Sequence, residues 1–449
     1  MNSGQLATAQ RFQLPSVFRA LRHRYYRIFM IGQFVSLTGN WFQFTAQTWL
    51  VTDFLNAGPR KLGLFGFAAQ IPILIFGLMA GIVADHTDRR RLLIGTQLLF
   101  AFQAAVFAAL TLAHGGNHRP VITYWIVVAL AVVGGVVQSF DLPARQSFLL
   151  ELVPKEDLSN AVALNSLAFN ATRIIGPVLA GWFISLTTGL FPGRAALGEG
   201  VCFVVNTITY AAVLWSLFLI KIPAQPRTES TASKRGLAAE GLRYIRERSH
   251  LMSLLIHLAF MALFGIPYLT LIPVFVKSAF HGNSAAYGNM LAAVGAGALV
   301  GGWIMASRRS VSGLGAHMIW ANMGFAIACA GLGFCRSQLA GLLILGFVGF
   351  FMVMTMIASQ TLAQIFVSEE VRGRVMSMYG MISIGFMPIG SLLSGYLAEK
   401  YDVRTAFLIN ATVCGLAGLY YALRLPKLRL SARASDEYQR HISAESAKR

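Results

Sequence analysis

The chain has 449 residues, of which 56% are hydrophobic and only 12% charged, with a mean hydropathy of +0.60. A soluble protein of this length would form two or three domains under a charged surface, and this composition cannot supply that surface, so lipid is the solvent for most of the chain. The formal charge of +19 would suggest nucleic acid in a soluble protein, but the placement of the basic residues argues for a membrane topology instead.

Apolar runs of about 20 residues, the length that crosses a bilayer as a helix, recur at 27–52, 62–84, 92–113, 121–143, 160–188, 199–220, 251–277, 285–306, 313–334, 339–366, 374–398 and 404–425. Twelve spans predict an all-α integral membrane protein with both ends on one side. On this map 28 of the 37 Lys and Arg fall at the termini and in the even-to-odd loops, eight fall in the opposite loops, and Arg173 lies within a span. This asymmetry places both termini in the cytoplasm and leaves no role for nucleic acid. The expected organisation is a cytoplasmic segment 1–26, a six-helix bundle 27–220, a cytoplasmic linker 221–250, a second six-helix bundle 251–425 and a cytoplasmic tail 426–449. The first run is longer than a signal-peptide core and is expected to stay as a helix. Cys202, Cys329, Cys335 and Cys414 lie in or at the ends of spans, with spacings that suit neither a metal site nor a disulfide framework, and read as packing residues. No cofactor or metal is expected.

In chain order, the first span carries Gln33, Ser36, Asn40, Gln43 and Gln47 at steps of three and four, which keeps them within about 80° of arc on a helix. Such a stripe faces other helices or a watery cavity, so it either meets a substrate or bonds neighbouring helices. Asp53 closes the span, about 110° away from that stripe by the same helical geometry. Between the second and third spans, Gly81 to Arg91 places Asp85, Arg89 and Arg90 where two helices reverse, a charge cluster that suits a conformational gate or a solvated topogenic turn. Asp141 and Arg145 are four apart and therefore neighbours on one helical face. The fifth span carries Ser166, Asn170 and Arg173, then Gly176, Pro177 and Gly181, where missing side chains permit close packing and proline frees a backbone acceptor. Arg173 falls near mid-membrane, where a cation costs at least ~2.5 kcal/mol unless compensated, by an anionic substrate or by a buried carboxylate.

Proton coupling needs a carboxylate that is alternately desolvated and hydrated. Asp53 and Glu199, at the end of the first span and the start of the sixth, are the candidates, with a snorkelling or loop carboxylate an equal reading of each. Within the linker, Gly236 to Arg248 sets Leu237, Tyr244 and Ile245 on one face, as in a short helix lying on the membrane surface. Gly295, Gly297, Gly301 and Gly302 follow no strand and suit helix packing, and the chain contains no Gly-Lys pair, so a Walker A loop is excluded. The second half is rich in Met and Phe, for example Met352, Met354 and Met356, which suits looser apolar contacts.

An internal repeat is visible at an offset of 214: Gln146 with Gln360, Val153 with Val367, Glu156 with Glu370, Gly176 with Gly390 and Gly181 with Gly395. With twelve spans, two parallel halves, a central polar linker and the 81–91 turn, the chain resembles the major facilitator superfamily over nearly its whole length. Pro143-Ala144-Arg145-Gln146, Leu152-Val153-Pro154, Asn160 to Asn165 and Arg173-Ile174-Ile175-Gly176-Pro177 resemble the branch that contains the enterobactin exporter and related secretion and macrolide-efflux permeases. The 2–3 turn of that family reads Gly-x-x-x-Asp-Arg-x-Gly-Arg-Arg; Gly81, Asp85, Arg89 and Arg90 match it, while His86 and Asp88 depart.

The resemblance implies two pseudo-symmetric six-helix bundles and export by alternating access, with a proton exchanged for a siderophore, a drug-like compound or another amphipathic metabolite. It further implies that Asp85 caps the start of the eleventh span and that Arg89 or Arg90 meets a carboxylate at the end of the fourth, for which Asp141 is the candidate. The cavity residues expected are Gln33, Asn40, Gln43, Gln47, Asn170 and Arg173. The protein is expected to work as a monomer in a bacterial inner membrane. Uptake or flipping of a nutrient or lipid, and sensing without transport, are the alternatives. No paired carboxylates with ligand histidines, no nucleophile elbow and no cofactor motif point to an enzyme.

Overall fold

In a computed structural model, residues 16–114, 120–221, 243–308, 310–369 and 371–433 are described. The first half contains α1 (Arg24–Thr52), α2 (Gly58–His86), α3 (Arg89–Leu112), α4 (Tyr124–Glu151), α5 (Leu158–Leu190) and α6 (Leu197–Leu219). The second contains α7 (Ser249–Phe260), α8 (Tyr268–Phe280), α9 (Ser284–Ala306), α10 (Leu314–Phe334), α11 (Gln338–Ile365), α12 (Arg372–Lys400) and α13 (Val403–Arg433). Eleven spans among the described residues are long and apolar enough to cross a membrane, α7 and α8 together making one of them. The twelfth is α1, whose polar stripe lowers its hydropathy but whose 29 residues reach further than a bilayer core is thick.

The starts of the helices follow local chemistry. Asp88, one of the two departures from the family turn, caps α3 by accepting the Arg91 amide at 3.1 Å, and Asn283 does the same for α9 with Ala286. Asp402 precedes α13 and accepts from the amides of Arg404 at 2.7 Å and Thr405 at 3.0 Å and from the Thr405 hydroxyl at 2.6 Å. These bonds, the Thr405 side chain first, hold the Asp402 carboxyl below its ordinary range.

The seventh span is not the continuous helix expected. A π turn at Met261–Gly265 separates α7 from α8, because Pro267 has no amide hydrogen with which to continue the ladder. At the other end, α13 runs to Arg433 rather than stopping near 425. Of the linker, 222–242 lies outside the described residues. Ile245 is buried and the Tyr244 hydroxyl accepts the Ser368 amide at 3.2 Å, so this short helical part, 243–247, packs on the second half.

The face at which α1 begins and α2 ends is the terminal face, and the α1–α2 loop lies at the opposite face. The halves meet where α2 packs on α12 and α5 packs on α9. A Cβ at Gly63 would lie 2.6 Å from the Ser391 carbonyl, and one at Gly395 would lie 2.6 Å from that of Pro59. On the other side of the molecule Gly288 meets the Pro177 carbonyl and Gly181 meets that of Ser284. Pro177 and Ser391, like Gly181 and Gly395, are 214 apart, so the repeat reappears as equivalent contacts. Gly176 packs on Trp41 of α1, and its counterpart Gly390 packs on Leu263 of the π turn and on Pro267 just after it. These glycines let helix backbones touch, which in lipid is the main source of helix association. The glycines of α9 serve the same end: Gly297 and Gly301 face the Gly346 and Phe350 carbonyls of α11. All four cysteines are buried and unpaired.

Candidate functional site

Between the halves lies a cavity of about 1050 Å³. Its floor, towards the opposite face, is formed by Thr48, Leu62, Phe65 and Leu291, and its walls run to Gln146, Leu150 and Val162 at the terminal ends of α4 and α5. The opposite face is shut by the glycine contacts of α5 with α9 and α2 with α12, and by side chains that bridge them. Trp49 stacks on Tyr287 at 5.8 Å, Ser284 donates to the Gly181 carbonyl at 3.0 Å, and Asn283 donates to Ser185 at 3.0 Å. Lys277 on α8 reaches Asp53 at 3.1 Å and donates to the carbonyl of Thr52 and the side chain of Asn56. On the terminal face, no ion pair among the described residues links the two halves, and a Cβ at Gly77, Gly81, Gly373 or Gly380 would meet nothing within 4 Å.

Four of the stripe residues of α1, Gln33, Asn40, Gln43 and Gln47, line this cavity. Two of them are also tied to their neighbours, so lining and helix bonding coexist. The Asn206 amide donates to Gln43 at 2.7 Å and the Tyr210 hydroxyl to Asn40 at 2.5 Å, while Gln103 donates to the Leu130 carbonyl at 2.5 Å. Ser36 is buried outside the cavity.

On α5 the cavity face is Val162, Asn165, Ser166, Phe169 and Arg173. Asn170 is absent from this wall, contrary to expectation: it is one residue, about 100° of helix, past Phe169 and bonds back to the Ser166 carbonyl at 2.9 Å. Arg173 projects into the cavity with its guanidinium 5.9 Å from the Trp41 ring. No carboxylate lies within ion-pair distance of Arg173 among the described residues.

Asp141 is fully buried on α4 behind the cavity wall. It accepts from Thr96 at 2.8 Å and Gln97 at 2.6 Å and pairs with Arg145, which lines the cavity. The expected partnership of Asp141 with Arg89 or Arg90 is therefore not made. Arg89 pairs with Glu151 at 2.5 Å, a later carboxylate on the same helix, and Arg90 donates to the Leu217 carbonyl at 2.7 Å. The physical reason is depth: Asp141 lies nearly three turns of helix inside the end of α4, about 15 Å from Glu151, beyond the reach of the α2–α3 turn. Nor does Asp85 cap α12. It is exposed and forms no ion pair with a described residue, while Arg372 at the start of α12 pairs with Glu369 at 3.8 Å.

Asp53 and Glu199 both lie towards the opposite face and neither lines the cavity. Glu199 is buried in the first turn of α6, whereas Asp53 is half exposed beside Lys277. Met352, Met354 and Met356 also lie elsewhere: α11 packs on α9, and Met387 of α12 is the methionine at the cavity. Sequence reasoning missed Lys277, Trp41, Gln103, Gln138 and Gln146. Gln138, Arg145 and Gln146 recur at helical spacing along α4, with Leu142 between them on the same wall, a mostly polar stripe readable in the same way as that of α1.

Residues 15–448 match the transmembrane secretion effector family. The chain is 25% identical over 408 residues to the staphyloferrin A transporter of Staphylococcus aureus, covering 90% of this chain and 98% of that one. It is 25% identical over 405 residues to the multidrug efflux pump Tap of Mycolicibacterium fortuitum, covering 88% and 95%. It is 23% identical over 357 residues to macrolide efflux protein A of Streptococcus pyogenes, covering 78% and 83%. Among solved structures, a bacterial homologue of the human lysosomal transporter Spinster, inward-facing and occupied, superposes with a TM-score of 0.70 at 13% identity over 92% of this chain and 99% of that one. The inward open xylose transporter of E. coli gives 0.65 at 16% identity over 88% and 95%. Those likenesses show the fold, and with the family match over almost the whole chain they establish that this protein belongs to the transmembrane secretion effector family of the major facilitator superfamily, as a multi-pass membrane transporter and not an enzyme.

Proposed function

We propose that the protein is a secondary active exporter that carries a medium-sized amphipathic metabolite, of siderophore or drug-like character, out across a bacterial cytoplasmic membrane in exchange for protons. The observation that carries this reading is the central cavity, shut at one face and open at the other, in a chain whose curated relatives are named for staphyloferrin A transport, multidrug efflux and macrolide efflux. The positive-inside asymmetry supports placing the terminal face in the cytoplasm, with both termini there, which makes the state seen here inward-open.

In this reading residues 27–220 and 251–425 act as two bodies joined by the 221–250 linker and working as a monomer, with the segments 1–26 and 426–449 in the cytoplasm. They rock about the α5–α9 and α2–α12 contacts, with Gly176, Pro177 and Gly181 in the pivot. Outward opening parts the opposite face and brings the 81–91 turn against the second half. Asp85 would then reach the start of α12, and the Arg89–Glu151 and Asp141–Arg145 pairs would brace the closed gate. Gln33, Asn40, Gln43, Gln47 and Arg173 line the substrate path, with Asn170 supporting the α5 wall from behind. Of the two coupling candidates Glu199 is preferred over Asp53, because a buried carboxylate changes hydration more than a half-exposed one already paired with lysine. One proton crossing ~150 mV supplies roughly 3.5 kcal/mol, enough to drive a few-hundred-fold gradient of a neutral solute.

The test is untargeted mass spectrometry of medium and cell extract from a deletion strain and its complemented parent, grown with and without iron. A compound retained by deletion cells and returned to the medium by the wild-type gene supports export. A nutrient left outside the deletion cells, with no exported difference, reverses the direction.

A further inference from the structure

The cavity wall contains two arginines and seven glutamines and, among its lining residues, no Asp, Glu, Lys or His. The two arginines are not equivalent. Arg145 is neutralised by Asp141, which is itself held by Thr96 and Gln97. Arg173 has no carboxylate within ion-pair distance among the described residues; its guanidinium lies over the Trp41 ring and is hydrogen-bonded to the buried, neutral Tyr268. A cation facing an aromatic ring is partly stabilised through the ring face, and the guanidinium retains N–H groups able to grip an oxyanion. A cavity inside the membrane with one uncompensated positive charge repels cations and favours anions.

We infer that this cavity selects an amphipathic organic carboxylate, whose anionic group is held by Arg173 and whose apolar body lies on Trp41, Phe44 and Phe169. Arg173 would meet the carboxylate through parallel N–H bonds. The three rings form one aromatic wall, Trp41 lying 5.5 Å from Phe44 and 6.5 Å from Phe169. A cavity of about 1050 Å³ is at the large end of drug-sized sites. The second half adds apolar Ile266, Leu269 and Met387, and its Thr270 and Ser391 are neutral. Recognition of charge therefore comes from the first half alone. This assignment rests on the reading of the cavity as the substrate path and names the class of compound that path accepts.

The test uses the purified full-length protein and three dansyl probes of matched length: dansyl-aminohexanoate, its neutral primary amide and the cationic dansylcadaverine. The carboxylate is expected to bind about ten-fold or more tightly than the amide, the gap that a charge-assisted bond supplies, with the cation weakest. Arg173→Gln should bring acid and amide level, Arg173→Lys should keep part of the preference, and Arg60→Gln, outside the cavity on α2, should leave it whole. Size-exclusion profiles check that each variant is folded, and the ranking of probes by the wild type needs no variant.

Equal binding of the three probes, preference for the cation, or an acid preference that survives Arg173→Gln overturns the assignment. An anionic lipid head group shares the chemistry, so proteoliposomes are also tested with NBD-phosphatidylglycerol; flipping of that lipid without movement of the dansyl acid would assign the cavity to lipid and overturn the small-molecule class. Vesicles that export the amide or the cation faster than the acid would leave the exporter reading standing while removing the anion site. Failure of every probe and of the lipid to bind or cross would remove both.

Discussion

Lys277 on α8 and Asp53 at the end of α1 form, at 3.1 Å, the one ion pair among the described residues that joins the two halves, and it lies at the face where the cavity is shut. Lys277 also donates to the carbonyls of Thr52 and Asp53 and to Asn56, so removal of the lysine loses every strand of this bridge, whereas Asp53→Asn loses one. Lys277→Ala is therefore expected to shift the population towards opening at that face by more than Asp53→Asn does. An exposed ion pair contributes about 0.2–1 kcal/mol, which corresponds to up to about a five-fold change in population. Labelling of Thr48→Cys at the cavity floor by an impermeant maleimide added from the opposite side measures it; unchanged labelling in Lys277→Ala would remove the bridge from the gate. Loss of proton-driven transport in Asp53→Asn with unchanged labelling would instead mark Asp53 as a coupling group.

Gly181 allows α5 to touch the backbone of α9 at Ser284 and Gly288. A valine there cannot be accommodated by side-chain movement alone, since the obstruction is backbone. Gly181→Val should separate the two helices and abolish transport. The readout is the disulfide formed by Ser185→Cys with Asn283→Cys, whose native side chains are hydrogen-bonded at 3.0 Å: it should form readily in the parent and poorly in Gly181→Val. Equal cross-linking in both would mean that the contact tolerates a side chain.

Asp141 and Arg145 make a pair whose acid is fully buried. Asp141→Ala strands Arg145 and also leaves the Gln97 amide without its acceptor, while Thr96 keeps the Leu93 carbonyl, a loss of about 3 kcal/mol. Replacing both members, Asp141→Ala with Arg145→Leu, should recover much of that stability because the uncompensated charge is gone. Thermal unfolding of the detergent-purified variants compares them, and a double variant no better than the single would show that Arg145 is not the group left in deficit.

Asp85 forms no ion pair with a described residue in the state seen here, so Asp85→Asn should change stability by less than about 0.5 kcal/mol. Transport should nonetheless fall if the 81–91 turn closes against α12 in the other state. Unaltered transport by a normally inserted Asp85→Asn protein would leave the turn with a topogenic role only.

The Asp402 cap gives a pH-dependent expectation. Its carboxyl titrates below the ordinary range in the folded protein because Thr405 and the amides of α13 bond the charged form. Its contribution is therefore complete above the ordinary carboxylate range and is lost as pH falls through the depressed folded value. Asp402→Ala should cost about 1 kcal/mol at neutral pH, as for other helix caps, and the difference from wild type should narrow in acid. A melting-temperature difference that stays constant on acidification would count against the cap.

Much of this architecture was legible without coordinates because its causes are local or periodic. Apolar runs matched to bilayer thickness mark the spans, and basic residues sort by side of that span map. The glycines at 181 and 395 stand out at one offset because the two halves solve the same packing problem twice. Tertiary structure decided the rest, because helix rotation and depth are set by packing against helices distant in sequence. That is why Asn170 turned away from the cavity while Phe169 entered it, why Asp141 met Arg145, Thr96 and Gln97 rather than the arginines of the 81–91 turn, and why Lys277, an unremarked lysine at the end of a hydrophobic span, came to bridge the halves. Arg173 shows both sides of the division. Its cost in the membrane follows from sequence alone, whereas the absence of a carboxylate beside it, among the described residues, is a property of how twelve spans assemble.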